Sequence, residues 1–462
     1  MSSRPNDSGN CVGPPPVLLG SNMLGAIGGG MDTELTADGP TGLEARGSRY
    51  RHYVLVILTL VFVVNYLDRQ ILGILLPLIK KEFALPDTAL GLLSGTVFAV
   101  VYATLGIPLA IFADRMNRRN IIAMSLAVFS LMTVLSAFAA RFWHLVAARL
   151  GTGIGEAGTA PSINSILSDY YPVGQRATAL SFYSAGLNVG LLLGFFGGGW
   201  IAQHYGWRDA FLAAGIPGLI LVFLVAFTVQ EPLRGSAERL TDSGVSPPFR
   251  DVVKWLWSLR SFRWLSFATG MSAFGGYSLV AFFPLFLFSS HHMSETSIGL
   301  ALAILAGIPG ALGTFLAGTF ADRFGKGNRR ALMLVPMIGT ALAVPFAPLV
   351  YLSSSILVTL AAAIVPAAMG AIYVGPGLAA VQGLVSPRMR ATAVALFLFV
   401  LNMIGLGLGP LAVGAISDSL RPMLGQDSLR WALMITMVSG SVAVFSYWRA
   451  SRTIGKDMER YR

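Results

Sequence analysis

Residues 53–79 read YVLVILTLVFVVNYLDRQILGILLPLI. At about 1.5 Å of helical rise per residue this run is long enough to cross the ~30 Å hydrocarbon core of a bilayer, yet it carries Asp68 and Arg69 in its interior. A charge near the centre of a membrane helix costs about 2.5–3.5 kcal/mol on insertion scales, and such residues face watery cavities and carry function. Asp68 and Arg69 therefore read as the floor of a transport pathway, with the rest of the chain as its housing.

Hydrophobic residues make up 54% of the 462 and charged residues 12%, with mean hydropathy +0.67. A soluble domain carries about 25% charge, so the chain is expected to be an all-α integral membrane protein. The formal charge of +11 does not point to nucleic acid, because the basic residues stand between apolar spans rather than on one solvated face. With one cysteine, Cys11, the chain has no disulfide framework, cysteine-rich metal site or Cys-x-x-Cys redox chemistry.

Residues 1–48, rich in Gly, Pro and Ser, predict a disordered cytoplasmic tail. Six apolar spans fill 49–230, at about 51–79, 87–113, 120–140, 143–168, 176–203 and 208–230. A polar linker at 231–261 predicts a surface helix that turns Val252, Val253, Leu256 and Trp257 to lipid. Six more spans fill 262–450, at about 262–289, 295–320, 331–352, 354–384, 390–418 and 430–449, and 451–462 form a second cytoplasmic tail. With both termini in the cytoplasm, most of the 33 Lys and Arg lie inside, against Lys80, Lys81, Arg141, Arg208, Arg421 and Arg430 outside. That asymmetry sets insertion direction, and a multi-pass protein of the inner or plasma membrane is expected.

The chain also repeats itself. AIFADRMNRR (110–119) follows the second span and GTFADRFGKGNRR (318–330) the eighth; YPVGQRATAL (171–180) follows the fourth and SPRMRATAV (386–394) the tenth. Two pairs of matching loops at nearly one offset predict two pseudo-symmetric six-helix halves, with substrate bound between them near the midplane.

Ala110–Arg119 and Gly318–Arg330 resemble the loop signature of the major facilitator superfamily, roughly Gly-x-Leu-Ala-Asp-Arg-x-Gly-Arg-Arg. The first copy departs from it at Ala110, Phe112 and Asn117; the second has Phe320 for Leu and an inserted glycine. Arg149–Gly155 is similar to the superfamily's span 4 motif, and Gly190–Gly199 to its Gly-rich antiporter motif, with Phe195 where proline is usual. More narrowly, Asn65–Arg69 and Gly155-Glu156-Ala157 resemble the spinster-like branch, whose members are implicated in export of lysolipids and sphingosine phosphates. The resemblance implies alternating access, and an Asp114 carboxylate that engages the positive N-terminus of span 11 to lock the cytoplasmic side. Arg115, Arg118, Asp322 and Arg323 join Asp114 as expected gating residues.

In span 4, Arg149, Thr152, Glu156 and Thr159 are spaced three, four and three apart, which puts them on one helical face. Depth along the helices sets Asp68 level with Arg149; Arg69 can bend to either carboxylate, and Arg69 with Glu156 is the runner-up pairing. Asp68 and Glu156 are expected to exchange protons while the arginines hold them ionised until substrate arrives. A guanidinium suits phosphate or carboxylate, so Arg69 and Arg149, with Asn65 and Thr152, are expected to bind an anion. The second half has no charge in the interior of its spans, and its first helix is dense in aromatics: Phe274, Tyr277, Phe282, Phe283, Phe286 and Phe288. Tyr277, Phe282 and Phe286 are the expected greasy wall for an amphipathic anion.

The histidines are scattered and no H-E-x-x-H, G-x-S-x-G or P-loop string occurs, so an enzyme is not expected. His291, His292 and Glu295 offer at best a remote zinc site, and neither cofactor nor metal is expected. The expected partners are protons, an amphipathic anion and the bilayer, for a monomer that binds no nucleic acid. Small organic anions or drugs are the alternative substrates; a scramblase, channel or sensor is the alternative class.

Overall fold

In lipid every backbone N–H and C=O must be satisfied within its own segment, and each apolar run accordingly folds as helix. The structure, a computed structural model, describes residues 48–232, 248–325, 329–370, 372–386 and 389–460, and among these all side chains but those of 48, 107–115, 173, 174, 177, 321, 322, 324 and 325. The expected tail at 1–48 thus lies outside the described residues, save Ser48, where the first helix begins.

The first half comprises α1 (Ser48–Phe83), α2 (Asp87–Gly91), α3 (Val97–Arg115), α4 (Arg118–Ala137), α5 (Phe142–Ala157), α6 (Thr159–Tyr170), α7 (Val173–Leu192), α8 (Gly198–Tyr205) and α9 (Trp207–Thr228). After the linker helix α10 (Phe249–Ser258) come α11 (Arg260–His291), α12 (Glu295–Gly325), α13 (Ala331–Ala343), α14 (Ala347–Leu352), α15 (Ile356–Met369), α16 (Val374–Gly383), α17 (Arg390–Asn402), α18 (Gly409–Leu424), α19 (Ser428–Thr436) and α20 (Val438–Glu459). Single π-helical segments, Leu92–Thr96, Leu193–Gly197 and Met403–Leu408, carry α2 into α3, α7 into α8 and α17 into α18.

Among the described residues ten helical stretches, against the twelve expected spans, are long and apolar enough to cross a membrane. The stretch from Arg390 to Glu459 is one of the ten although it turns at Gly425, where φ is +55°. The expected span 143–168 is not among them, because α5 and α6 are separate helices parted at Gly158.

Two further expectations are corrected. Val252 and Leu256 of α10 do not face lipid: they are buried against Leu259, Phe262 and Leu384, while Phe249 and Trp257 on that helix stay half exposed. An amphipathic helix buries its apolar face on whatever apolar surface is nearest, and here that surface is the second half. Residues 451–459 are likewise no free tail. They continue α20, and the Asp457 carboxylate accepts the Ser261 N–H at 2.9 Å, satisfying an orphan donor at the start of α11.

The halves meet most closely at the end of the bundle that carries Lys80. One apolar cluster there runs without interruption from Ile71, Leu75 and Phe195 of the first half to Phe282, Leu302 and Leu433 of the second. Asp418 of α18 accepts the Asp87 N–H at 2.9 Å and the Thr88 N–H and hydroxyl at 2.7 and 2.6 Å, so a carboxylate from one half caps the helix N-terminus of the other. Asp87 accepts from Ser417 at 2.8 Å and from Lys80 at 2.5 Å. The backbones touch here because both sides use glycine: a Cβ on Gly91 would strike the Pro410 carbonyl, and one on Gly414 the Asp87 carbonyl.

Charge-assisted hydrogen bonds of this kind contribute about 1.5–3 kcal/mol each. Asp418→Asn is therefore expected to shift the balance toward the open form at the Lys80 end by about tenfold. The check is the labelling rate of a Ser94→Cys, Cys11→Ser protein by an impermeant thiol reagent from that face; an unchanged rate would show that the latch does not hold the end shut.

Candidate functional site: a buried charge cluster between α1 and α5

Neighbouring residues on a helix point about 100° apart, so Asp68 and Arg69 cannot share one partner. On α5, Arg149 and Glu156 are two turns apart on one face, and each meets a different α1 charge. Arg149 Nη1 donates to Asp68 Oδ2 at 3.0 Å, and its Nη2 to the Asp68 carbonyl at 3.3 Å. Arg69 Nε donates to Glu156 Oε2 at 2.5 Å. Both pairings read from helix depth are thus present together. Asp68, Glu156 and Arg149 are 1%, 2% and 5% exposed, and only the Arg69 side chain, at 23%, reaches open space.

The two carboxylates are not equivalent. Asp68 is satisfied at both oxygens, since Thr133 of α4 donates to Oδ1 at 2.7 Å. Glu156 uses one oxygen only, and its buried Oε1 has no partner. Thr133 escaped the sequence reading: among many hydroxyls on apolar helices, nothing local marks the one that meets a charge on another helix.

The cavity beside this cluster lies between the halves and is lined by Tyr66, Arg69, Gln70, Ser94, Phe98 and Arg149 on one side and by Tyr277, Val280, Ala281, Leu406 and Pro410 on the other. The Arg69 guanidinium stands 4.8 Å from the ring centres of Phe98 and Tyr102 and 5.6 Å from that of Tyr66, a cation–π setting that holds it in place. Among the described residues it bonds protein only through Nε, and its terminal nitrogens are without a protein acceptor there.

The remaining expected site residues divide. Tyr277 lines the cavity. Phe282 and Phe286 do not: both are fully buried, and Phe286 packs on Phe283, Tyr351 and His291. Phe282 lies about 140° around α11 from Tyr277, so two of the three residues of the expected greasy wall are core. Asn65 and Thr152 are also buried away from the cavity, and the Thr152 hydroxyl is spent on the Ala148 carbonyl at 2.9 Å.

Of the expected gating residues, Asp114, Arg115 and Asp322 have side chains outside the description, and Arg323 is exposed on α12. The partners of Arg118 lie in the first half and at the start of the linker. It is buried and donates to Asp169 at 2.6 Å, Glu231 at 2.7 Å and the Pro232 carbonyl at 3.1 Å. Among the described residues no His, Cys, Asp and Glu converge as a metal site; His291 Nε2 instead lies 3.3 Å from the Thr359 hydroxyl.

Membrane-spanning helices in two halves, with buried charges opening on a cavity between them, define a multi-pass membrane transporter. The chain belongs to the Major Facilitator Superfamily, which it matches over residues 58–268 and again over 265–457. It is 31% identical over 420 residues to an MFS-type efflux pump of Mycolicibacterium smegmatis, covering 90% of this chain and 96% of that one. To protein spinster homolog 1 of Xenopus tropicalis it is 28% identical over 453 residues, covering 90% and 83%. Among solved structures it resembles a bacterial homologue of the human lysosomal transporter Spinster in an inward-facing, unoccupied conformation, with TM-score 0.81 and 30% identity over 89% of this chain and 99% of that one. The protein is a spinster-like transporter of this superfamily.

Removing one partner of a buried ion pair costs about 3–5 kcal/mol, whereas replacing both by apolar groups is often neutral. Arg149→Met is therefore expected to destabilise strongly, and Asp68→Leu with Arg149→Met to recover most of the loss. Thr133→Val should cost about 1.5–3 kcal/mol in the parent protein and little in the double variant. Thermal unfolding of the purified variants in detergent decides this; strictly additive losses would mean that the three residues do not act as a unit.

Proposed function

We propose that the protein is a proton-coupled secondary transporter that moves an amphipathic anion, such as a lysolipid or sphingolipid phosphate, by alternating access. The observation that carries this reading is the Arg69–Glu156 pair at the cavity wall, with guanidinium donors free on one side and an orphan carboxylate oxygen on the other. A phosphate or carboxylate entering the cavity takes the free donors in a forked contact and competes with Glu156 for Arg69. A buried carboxylate that loses its counter-charge is neutralised by a proton. Anion and proton occupancy are thereby linked through one guanidinium, and only such differential affinity between states can couple two fluxes.

Asp68 was expected to share the proton-carrying role. Its fully satisfied carboxylate supports a second part instead, that of a brace which fixes α1 on α5 and α4 while Glu156 exchanges the proton. With both termini in the cytoplasm, as the basic residues favour, the latch at Asp418 closes the outer face and the cavity opens inward. The name of the mycobacterial relative, an efflux pump, and the absence of Phe282 and Phe286 from the cavity favour a second reading, export of compact drug-like or organic anions without a long tail.

In proteoliposomes with an imposed pH gradient, Glu156→Gln is expected to abolish the gradient dependence of transport while leaving exchange down a substrate gradient measurable. Asp68→Asn is expected to reduce both together. Full gradient dependence in Glu156→Gln would remove Glu156 from the coupling role, gradient-independent flux in the parent protein would favour a channel or scramblase, and competition by lysolipids against hydrophilic acids separates the two substrate readings.

A further inference from the structure

The outer face of the second half carries a cluster that the transport reading does not use. On α11, Arg260, Arg263, Trp264 and Phe267 stand at positions i, i+3, i+4 and i+7; on α20, Phe445, Trp448, Arg449 and Arg452 stand at the same spacing. Each set forms one stripe along its helix. The helices are packed antiparallel, tied near their ends by the Ser261–Asp457 hydrogen bond and deeper by Tyr447 and Thr269 at 3.5 Å. The stripes meet edge to edge: the Trp264 ring lies 6.1 Å from Phe445 and under the Arg449 guanidinium at 5.4 Å, while Arg452 stacks on Trp448 at 3.9 Å.

We infer that this cluster is a binding site for an anionic phospholipid headgroup. A guanidinium held over an aromatic ring spends none of its N–H donors on that contact, and these match phosphate oxygens two at a time. None of the four arginines has a carboxylate partner among the described residues; the nearby acids are Asp457, which is buried on Ser261, and Glu459, which is exposed two turns beyond Arg452 beside Lys456. The order along both helices decides the occupant. Half-exposed Phe267 and Phe445 lie deepest, Trp264 and Trp448 come next, and the arginines lie towards the helix ends. That sequence from hydrocarbon to water is the sequence of a phospholipid's acyl chain, glycerol region and phosphate. A soluble phosphate has no use for the aromatic shelf.

The test uses purified full-length protein in detergent, titrated with phosphatidylglycerol or phosphatidylcholine and followed by its thermal unfolding midpoint. Phosphatidylglycerol is expected to raise the midpoint more than phosphatidylcholine. With each arginine near an anionic lipid contributing about 1 kcal/mol, the Arg449→Gln, Arg452→Gln variant should bind phosphatidylglycerol about 30-fold more weakly. A variant that removes the same charge at the opposite end, Arg141→Gln with Arg421→Gln, should keep the full response. Equal stabilisation by the two lipids, an undiminished response in the Arg449/Arg452 variant, or the same effect from millimolar inorganic phosphate would overturn the proposal. Should the glutamine variant fail to fold, Arg449→Lys with Arg452→Lys keeps the charge but loses the planar fork, and an unchanged affinity in that protein would overturn it equally.

Discussion

Four charges, three of them buried and Arg69 partly so, stand between α1 and α5 as two opposite pairs, and the first half is built to make that tolerable. Taking an ion pair out of water costs several kcal/mol per ion, repaid only where the geometry is good and the remaining lone pairs are satisfied. Asp68 meets that condition through Arg149 and Thr133, which requires α1, α4 and α5 to meet at one level. Glycine makes the approach possible: a Cβ on Gly155 would lie 2.7 Å from the Phe129 nitrogen of α4, one residue before Glu156 on the chain. The Glu156 pair meets the condition only in part, and the cavity opens where the account is incomplete.

In the proposed coupling, that incompleteness is the lever. A fully satisfied network is rigid and a broken one is unstable, but a pair with one free oxygen and two free guanidinium nitrogens can trade partners at modest cost. The aromatic rings of Tyr66, Phe98 and Tyr102 hold the Arg69 guanidinium in place, so on the proposed reading an anion would find its donors already oriented.

The second constraint is the seam between the halves. At the Lys80 end, an aspartate at the finish of one repeat's fifth span, Asp418, caps the start of the other repeat's second span. The contact expected of Asp114 is the same device with the halves exchanged, an aspartate at the finish of span 2 facing the start of span 11. Two such caps at opposite ends of one rocking body would exclude each other, since closing one end draws the other apart. The π-helical segments Leu92–Thr96 of the first half and Met403–Leu408 of the second pack against each other and contribute Ser94 and Leu406 to the cavity, which sets a local irregularity of the helix beside the site.

The sequence by itself determined the membrane class, the two-fold repeat and the four charges of the site, because each rests on a cost paid locally: apolar length against bilayer thickness, or a charge in hydrocarbon. Charges at span ends are cheap, so Asp87 and Asp418 were silent in sequence although they join the halves. Composition likewise cannot say which way a helix faces, and so Phe282 and Phe286 became core, and Val252 and Leu256 turned to protein rather than lipid. Those outcomes, and the choice of Thr133 to serve Asp68, were decided only by tertiary structure, since each depends on which surface another helix brings within a few ångströms.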